Sequence, residues 1–201
     1  LHVAVRALTC PFAPLLERFP AAGTVLDVGC GHGLLVNLLA RDPSRRRLKL
    51  HGIDHDSAKI EAARRVAPPG VEFAVGSPAL FPESFCDAVA IVDVLYTVRR
   101  DAWSGILEGC ARVLKPGGRL IVKEVVDRPR WKYWAIMAQE TLSVTVFGIT
   151  KGERPHFESP EDYCRAVVQA GFTLLETLPL SSATWISHYL VVAQKPTSVH
   201  T

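Results

Sequence analysis

An α/β fold with a mostly parallel sheet is what this sequence of 201 residues predicts, and three observations carry it. A branched apolar run, Val25-Leu26-Asp27-Val28, goes straight into a turn with glycine at alternate positions, Gly29, Gly31 and Gly33, and then into the apolar side of a helix over Leu34 to Ala40. Short apolar runs recur down the chain with helical patterns between them, as in parallel strands joined by crossovers. The last two runs, Phe172 to Leu178 and Trp185 to Ala193, read as a closing antiparallel hairpin.

The first strand and its turn say most about ligands. Glycine at alternate positions removes each Cβ that would keep the backbone from bending sharply and touching a ligand. Free N–H groups at the start of the helix then favour an anionic or carboxylate-bearing ligand end. The dinucleotide fingerprint G-x-G-x-x-G is not met, since the third glycine comes one residue early and Leu34 stands where that pattern wants glycine. A nicotinamide or flavin cofactor is therefore disfavoured. Asp27 lies inside an otherwise apolar strand, and a carboxylate there must be desolvated, which calls for a reason. A strand–turn–helix corner with glycines chosen only for packing remains an alternative at this point.

Taken together, Asp27, Gly29, Cys30, Gly31 and Gly33 resemble the E/D-x-G-x-G-x-G motif of class I S-adenosylmethionine-dependent methyltransferases. The resemblance implies a seven-stranded, mostly parallel sheet with helices on both faces and a C-terminal antiparallel hairpin. It implies S-adenosylmethionine as cofactor, held by those five residues. Leu48 to Ile53 form the next strand and end in Asp54, about twenty residues beyond the turn, where an acidic residue takes ribose hydroxyls. His55 is expected to border the adenosine, and Asp56 or Ser57 to cap the following helix. Val71 to Gly76 read as the third strand. Ser77 stands where many relatives carry an aspartate for the adenine amino group, a departure that leaves its role as a base contact open. Phe81 to Val89 resemble the short acidic approach to the fourth strand, Ala88 to Val92.

Asp93-Val94-Leu95-Tyr96 follows at the carboxyl end of that strand, where open α/β sheets place their ligands. The resemblance puts Asp93 beside the cofactor and Tyr96 between cofactor and acceptor. Many relatives acting on small molecules have paired histidines here; this chain has Tyr96-Thr97, so no role carries over for them. The prolines of base- and glutamine-modifying relatives are also missing. Asp101 can cap a helix whose Ile106, Leu107, Cys110, Val113 and Leu114 share a face, with Lys115-Pro116-Gly117-Gly118 ending it. Ala111 to Val122 resemble the helix, turn and fifth strand of the same family. Ser159-Pro160-Glu161-Asp162 reads as a capping box with proline at the first helical position, and Ala170-Gly171-Phe172 stops that helix. The resemblance spans roughly Val25 to Pro196, which points to one domain over residues 1–201.

Composition suits an enzyme with a single core: 48% of residues are apolar and the net charge is +3. No run reaches the ~18 uncharged apolar residues that would span a bilayer. A signal-peptide pattern is lacking, and the cytoplasm is the expected compartment. Five cysteines without a C-x-x-C pair argue against a disulfide framework or zinc site, and no metal is expected. Cys30, Cys86 and Cys110 read as small buried residues. Arg41, Arg45, Arg46 and Arg47 crowd one loop, but that loop should lie on the amino-terminal edge of the sheet, away from the cofactor, so a nucleic-acid partner is not expected.

Residues 127–158 are what the shared fold does not demand. Trp131, Trp134 and Met137 make this stretch a candidate substrate lid, suited to a planar or lipid-like acceptor, with an ordinary packed helix as the alternative. Lys132, Arg128 and Arg130 beside the tryptophans would also suit peripheral contact with a membrane surface. The activity implied is methyl transfer to an oxygen, carbon or nitrogen of a small molecule. A protein or RNA methyltransferase, or a non-catalytic S-adenosylmethionine-binding protein, are the competing readings. The protein must then mainly hold the acceptor in line with the sulfonium methyl, which can contribute ~7–11 kcal/mol. Where a base is needed, His156, Tyr96 and Glu124 are the candidates.

Overall fold

A computed structural model describes residues 12–126, 157–180 and 187–197. Seven strands form one sheet: β1 (Ala22–Val28), β2 (Arg47–Asp54), β3 (Val71–Val75), β4 (Cys86–Val92), β5 (Leu114–Val125), β6 (Thr173–Leu180) and β7 (His188–Gln194). Their order is β3-β2-β1-β4-β5-β7-β6. The first five pair in parallel, and β7 inserts antiparallel between β5 and β6. The described helices are α1 (Phe12–Leu16), α2 (Leu34–Arg41), α3 (Ser57–Arg65), α4 (Trp103–Val113) and α5 (Pro160–Gln169).

Alternation along the strands divides the core into two layers. Ala88, Ala90 and Val92 of β4 join Val25, Leu50, Ile121 and Val192 against Leu35, Val36 and Leu39 of α2 and Ile60 and Ala63 of α3. Val89 and Ile91 point the other way and pack with Leu26, Ile53, Leu120 and Val122 against Trp103, Leu107 and Cys110 of α4 and Tyr163 and Val167 of α5. The central strands are apolar on both faces because helices cover both. Within β5 this leaves Lys123 and Glu124 with 0% and 1% exposure.

Three local expectations are adjusted. Asp101 does not cap α4: that helix starts at Trp103 after Ala102 with no side-chain cap, and the Asp101 carboxylate is held instead by Arg99 at 2.8 Å. Leu114 belongs to β5 rather than to the helix, because it pairs with Cys86 ahead of an irregularity between Cys86 and Ala88. In the Ser159 cap, Ser159 Oγ accepts from Asp162 N at 3.2 Å, while the Asp162 carboxylate takes the Ser159 hydroxyl at 2.6 Å and Arg100 at 2.7 Å. A cross-link to the loop before α4 therefore replaces half of the usual box.

The arginine-rich loop lies where the sequence placed it. Arg47 opens β2 opposite Ala22, the first residue of β1, so it sits at the end of the sheet away from the glycine turn. Arg45 pairs with Asp42 at 3.2 Å and also donates to the Leu16 carbonyl at the end of α1, which makes it a tie within the fold. Among the described residues no helix is long and apolar enough to cross a membrane.

Candidate active site

Parallel pairing brings four chain segments to one edge. Val28 is level with Ile53 and with Ile91, and Ile53 with Ala74. Residues 29–33, 54–55, 76–77 and 93–96 therefore emerge together at the carboxyl ends of β1, β2, β3 and β4, the place where such sheets bind ligands.

Gly29, Gly31 and Gly33 all have left-handed backbones, with φ of 73°, 54° and 75°. Two of the three also answer to neighbours. A Cβ on Gly29 would run into the Val94 side chain, and one on Gly33 would come to 2.5 Å from Phe73 Cζ. Gly31 is tied differently, because its N–H donates to Asp54 Oδ2 at 2.9 Å. The other oxygen of Asp54 accepts from Asp56 N at 2.9 Å. Thus one buried carboxylate links the glycine turn to the end of β2. A carboxylate offers about four acceptor sites, so these two bonds leave room for hydroxyl donors such as those of a ribose.

The remaining residues around this edge differ in exposure. Asp27 is 3% exposed within β1, and Cys30 is buried beside Gly52, its thiol pushed up chiefly by burial and then by Asp27 and Asp54. His55 projects outward, its side chain 92% exposed with Nδ1 3.4 Å from Asp54 Oδ1. Asp56 accepts from Ala58 N and Lys59 N and caps α3. Ser77 is exposed and caps a short 3-10 turn, its hydroxyl accepting from Ala79 N at 3.4 Å. Burial pushes the Cys86 and Cys110 thiols up to about 12, so neither is a nucleophile near neutrality.

A second cluster of buried polar groups is built around the end of β4. Asp93 has a left-handed backbone at φ 57°, uncommon for a residue other than glycine, and its carboxylate meets the buried Lys123 ammonium at 2.7 Å. His188 Nδ1 lies 3.9 Å from the same oxygen. Next to this pair Glu124 accepts from three successive amides: Val94 N at 3.0 Å, Leu95 N at 2.9 Å and Tyr96 N at 3.4 Å. Burial, and then nearby Asp93, push the Glu124 carboxyl up to about 8 against the pull of those amides and Lys123. The Tyr96 ring stacks on Phe157 with centroids 5.4 Å apart. Val126 bridges to Glu158, the residue after the Phe157 that stacks on Tyr96. His156, Trp131, Trp134 and Met137 lie outside the described residues.

The structure thus brings Asp27, Gly29, Cys30, Gly31, Gly33, Asp54, His55, Ser77, Asp93 and Tyr96 to one edge, and puts Glu124 beneath it. Lys123 and Val94 escaped the sequence reading. The available signal was Lys123-Glu124 inside the apolar run from Leu120 to Val126, a placement that requires buried partners. Among the described residues no group of three or more His, Cys, Asp and Glu is arranged to hold a metal ion.

Comparison with known proteins agrees with this geometry. A family model described as a methyltransferase domain matches residues 26–122. The chain is 33% identical over 124 residues to a ubiquinone biosynthesis O-methyltransferase of Alkalilimnicola ehrlichii, a match covering 59% of this chain and 48% of that protein. A protein of the same name from Psychrobacter arcticus is 24% identical over 194 residues, covering 88% and 73%. The fold superposes on an S-adenosylmethionine-dependent methyltransferase of Methanosarcina mazei with a TM-score of 0.71 and 21% identity, over 92% of this chain and 98% of the other. The glycine turn, the Asp54 anchor, the β3-β2-β1-β4-β5-β7-β6 sheet and the matched methyltransferase domain together support a class I S-adenosylmethionine-dependent methyltransferase.

Proposed function

We propose that this enzyme methylates a small aromatic or lipid-like acceptor, with a phenolic oxygen as the favoured atom. The observation that carries the cofactor half is the Asp54 carboxylate, buried and oriented by Gly31 N and Asp56 N at the end of β2. The acceptor half is supported by the stacked Tyr96–Phe157 pair at the end of β4 and by the name shared by the curated relatives. When bound, S-adenosylmethionine supplies the electrophilic methyl group. Glycine-turn amides receive its carboxylate-bearing end, Asp54 its ribose, and His55 and Ser77 flank its base. Tyr96 and Phe157 give a flat apolar surface on which a ring can lie. Trp131, Trp134 and Met137 are assigned to the same wall, a reading supported by their aromatic and apolar character and by the bridge of Val126 to Glu158, next to Phe157. Tyr96 and His156 are the candidate groups for moving the acceptor proton.

The test is transfer of a labelled methyl group from S-adenosylmethionine to a mixed panel of catechols, quinols and isoprenoid alcohols. Label in a phenolic ether is the expected result. Label that enters only added protein or RNA overturns the small-acceptor reading.

A further inference from the structure

We propose that Glu124 is a positioning residue: it latches the 94–96 turn against the glycine turn, so that the acceptor side and the cofactor pocket are held as one piece. The proposal rests on the cofactor reading above and assigns the role of a residue that the sequence offered as a candidate base.

Four observations converge on it. Glu124 is 1% exposed and takes three consecutive N–H groups, an arrangement in which the amides form a concave nest around an anion or carbonyl-like oxygen. Carbonyls of the same stretch are held as well, since Trp103 Nε1 donates to Leu95 O at 3.0 Å and to Val98 O at 3.3 Å, and Thr97 Oγ1 donates to Val94 O at 2.7 Å. The turn is entered through Asp93 in a strained left-handed conformation, which persists only where the surroundings over-determine it. Finally, Val94 presses on Gly29 so closely that no Cβ fits there, and Tyr96 stacks on Phe157. The clamped turn therefore touches the first glycine with one residue and the acceptor side with another. Two of the three amides share Oε1, so a glutamine amide oxygen can replace most of the latch without a charge. A base, by contrast, needs an ionisable carboxylate within reach of the substrate.

Calorimetric affinity for S-adenosylmethionine and amide hydrogen exchange over residues 93–98 test this together in wild type, Glu124→Ala, Glu124→Gln and Val94→Ala. Alanine at 124 should speed exchange of the 94–96 amides and weaken binding by roughly tenfold, the scale of lost hydrogen bonds to a charged or strongly polar partner. Glutamine should restore both. Val94→Ala should weaken binding while the amides stay protected, because it removes the contact with Gly29 and leaves the latch. Unchanged exchange in Glu124→Ala, binding in Glu124→Gln as weak as in the alanine variant, or full affinity in Val94→Ala each overturns the proposal. Should Glu124→Ala fail to fold, the glutamine and Val94 arms still decide it. Absence of binding by the wild type would remove the cofactor reading instead, and the exchange arm would still judge the latch.

Discussion

Asp54 answers to two demands with one carboxylate. Its oxygens fix Gly31 and Asp56 by their N–H groups, and their remaining acceptor capacity is what the proposed ribose contact would use. Asparagine would retain one acceptor and turn an N–H group toward another N–H. Asp54→Asn should therefore weaken S-adenosylmethionine binding by roughly tenfold or more, with calorimetry as the check; unaltered affinity would take the ribose away from this residue. Glu124 makes a second prediction, in pH. Its folded pKa is raised to about 8, well above the ordinary carboxylate value, first by burial and then by Asp93. Below the ordinary value both folded and unfolded chains hold the proton, and the contribution to stability is whole. As pH rises toward about 8 the unfolded chain releases its proton more readily than the folded one, so that contribution is lost. Asp93, Lys123 and Tyr163 lie close to the same group, with His188 close to Asp93, and all four are present in both proteins of a pair, so the comparison is with Glu124→Gln. The melting temperature of wild type should fall relative to that variant between about pH 5 and 8. Parallel profiles would show that Glu124 does not titrate there.

Among the elements, the glycine turn was readable because its meaning is local. Three glycines, a preceding strand and a following helix are contiguous in sequence, and their left-handed backbones are a property of those residues themselves. What the sequence hid is where Gly29 and Gly33 spend their missing Cβ atoms: on Val94 and Phe73, forty or more positions away. Gly33→Ala combines a left-handed backbone with contact on Phe73 and should cost at least ~2 kcal/mol, measured by denaturant unfolding. A neutral result would mean that Phe73 moves aside without loss. Helix starts were legible only in part. Asp56 and Ser159 cap as their positions suggest, whereas Asp101, equally suitable by type, is taken by Arg99 two residues before it. Ser159→Ala should cost about 1 kcal/mol and loosen the Arg100–Asp162 link as well. The roles of Lys123 and Glu124 were invisible for the same physical reason as the packing of Gly29: their partners lie about thirty residues back and meet them only through β4–β5 pairing.

At the scale of the whole molecule, the sheet order puts the glycine turn between β2 and β4, and so sets Asp54 on one side of it and the 93–96 turn on the other. The mostly parallel seven-stranded sheet and its closing hairpin were legible through the succession of strands, since these accompany the glycine turn in a recognisable family. The acceptor was not, because Trp131, Trp134, Met137 and His156 carry no motif that names a substrate and lie outside the described residues. Trp134→Ala accordingly tests the acceptor assignment: it should reduce use of the acceptor and spare cofactor affinity. The central claim is more basic, that the turn from Gly29 to Gly33 and the carboxylate of Asp54 form a site for S-adenosylmethionine. The direct measurement is calorimetric titration of the protein, and of Gly31→Val, with S-adenosylmethionine and separately with NADH. Saturable binding of S-adenosylmethionine alone, abolished in Gly31→Val, is the result predicted; equal affinity in the variant, or binding of NADH in its place, would contradict the account.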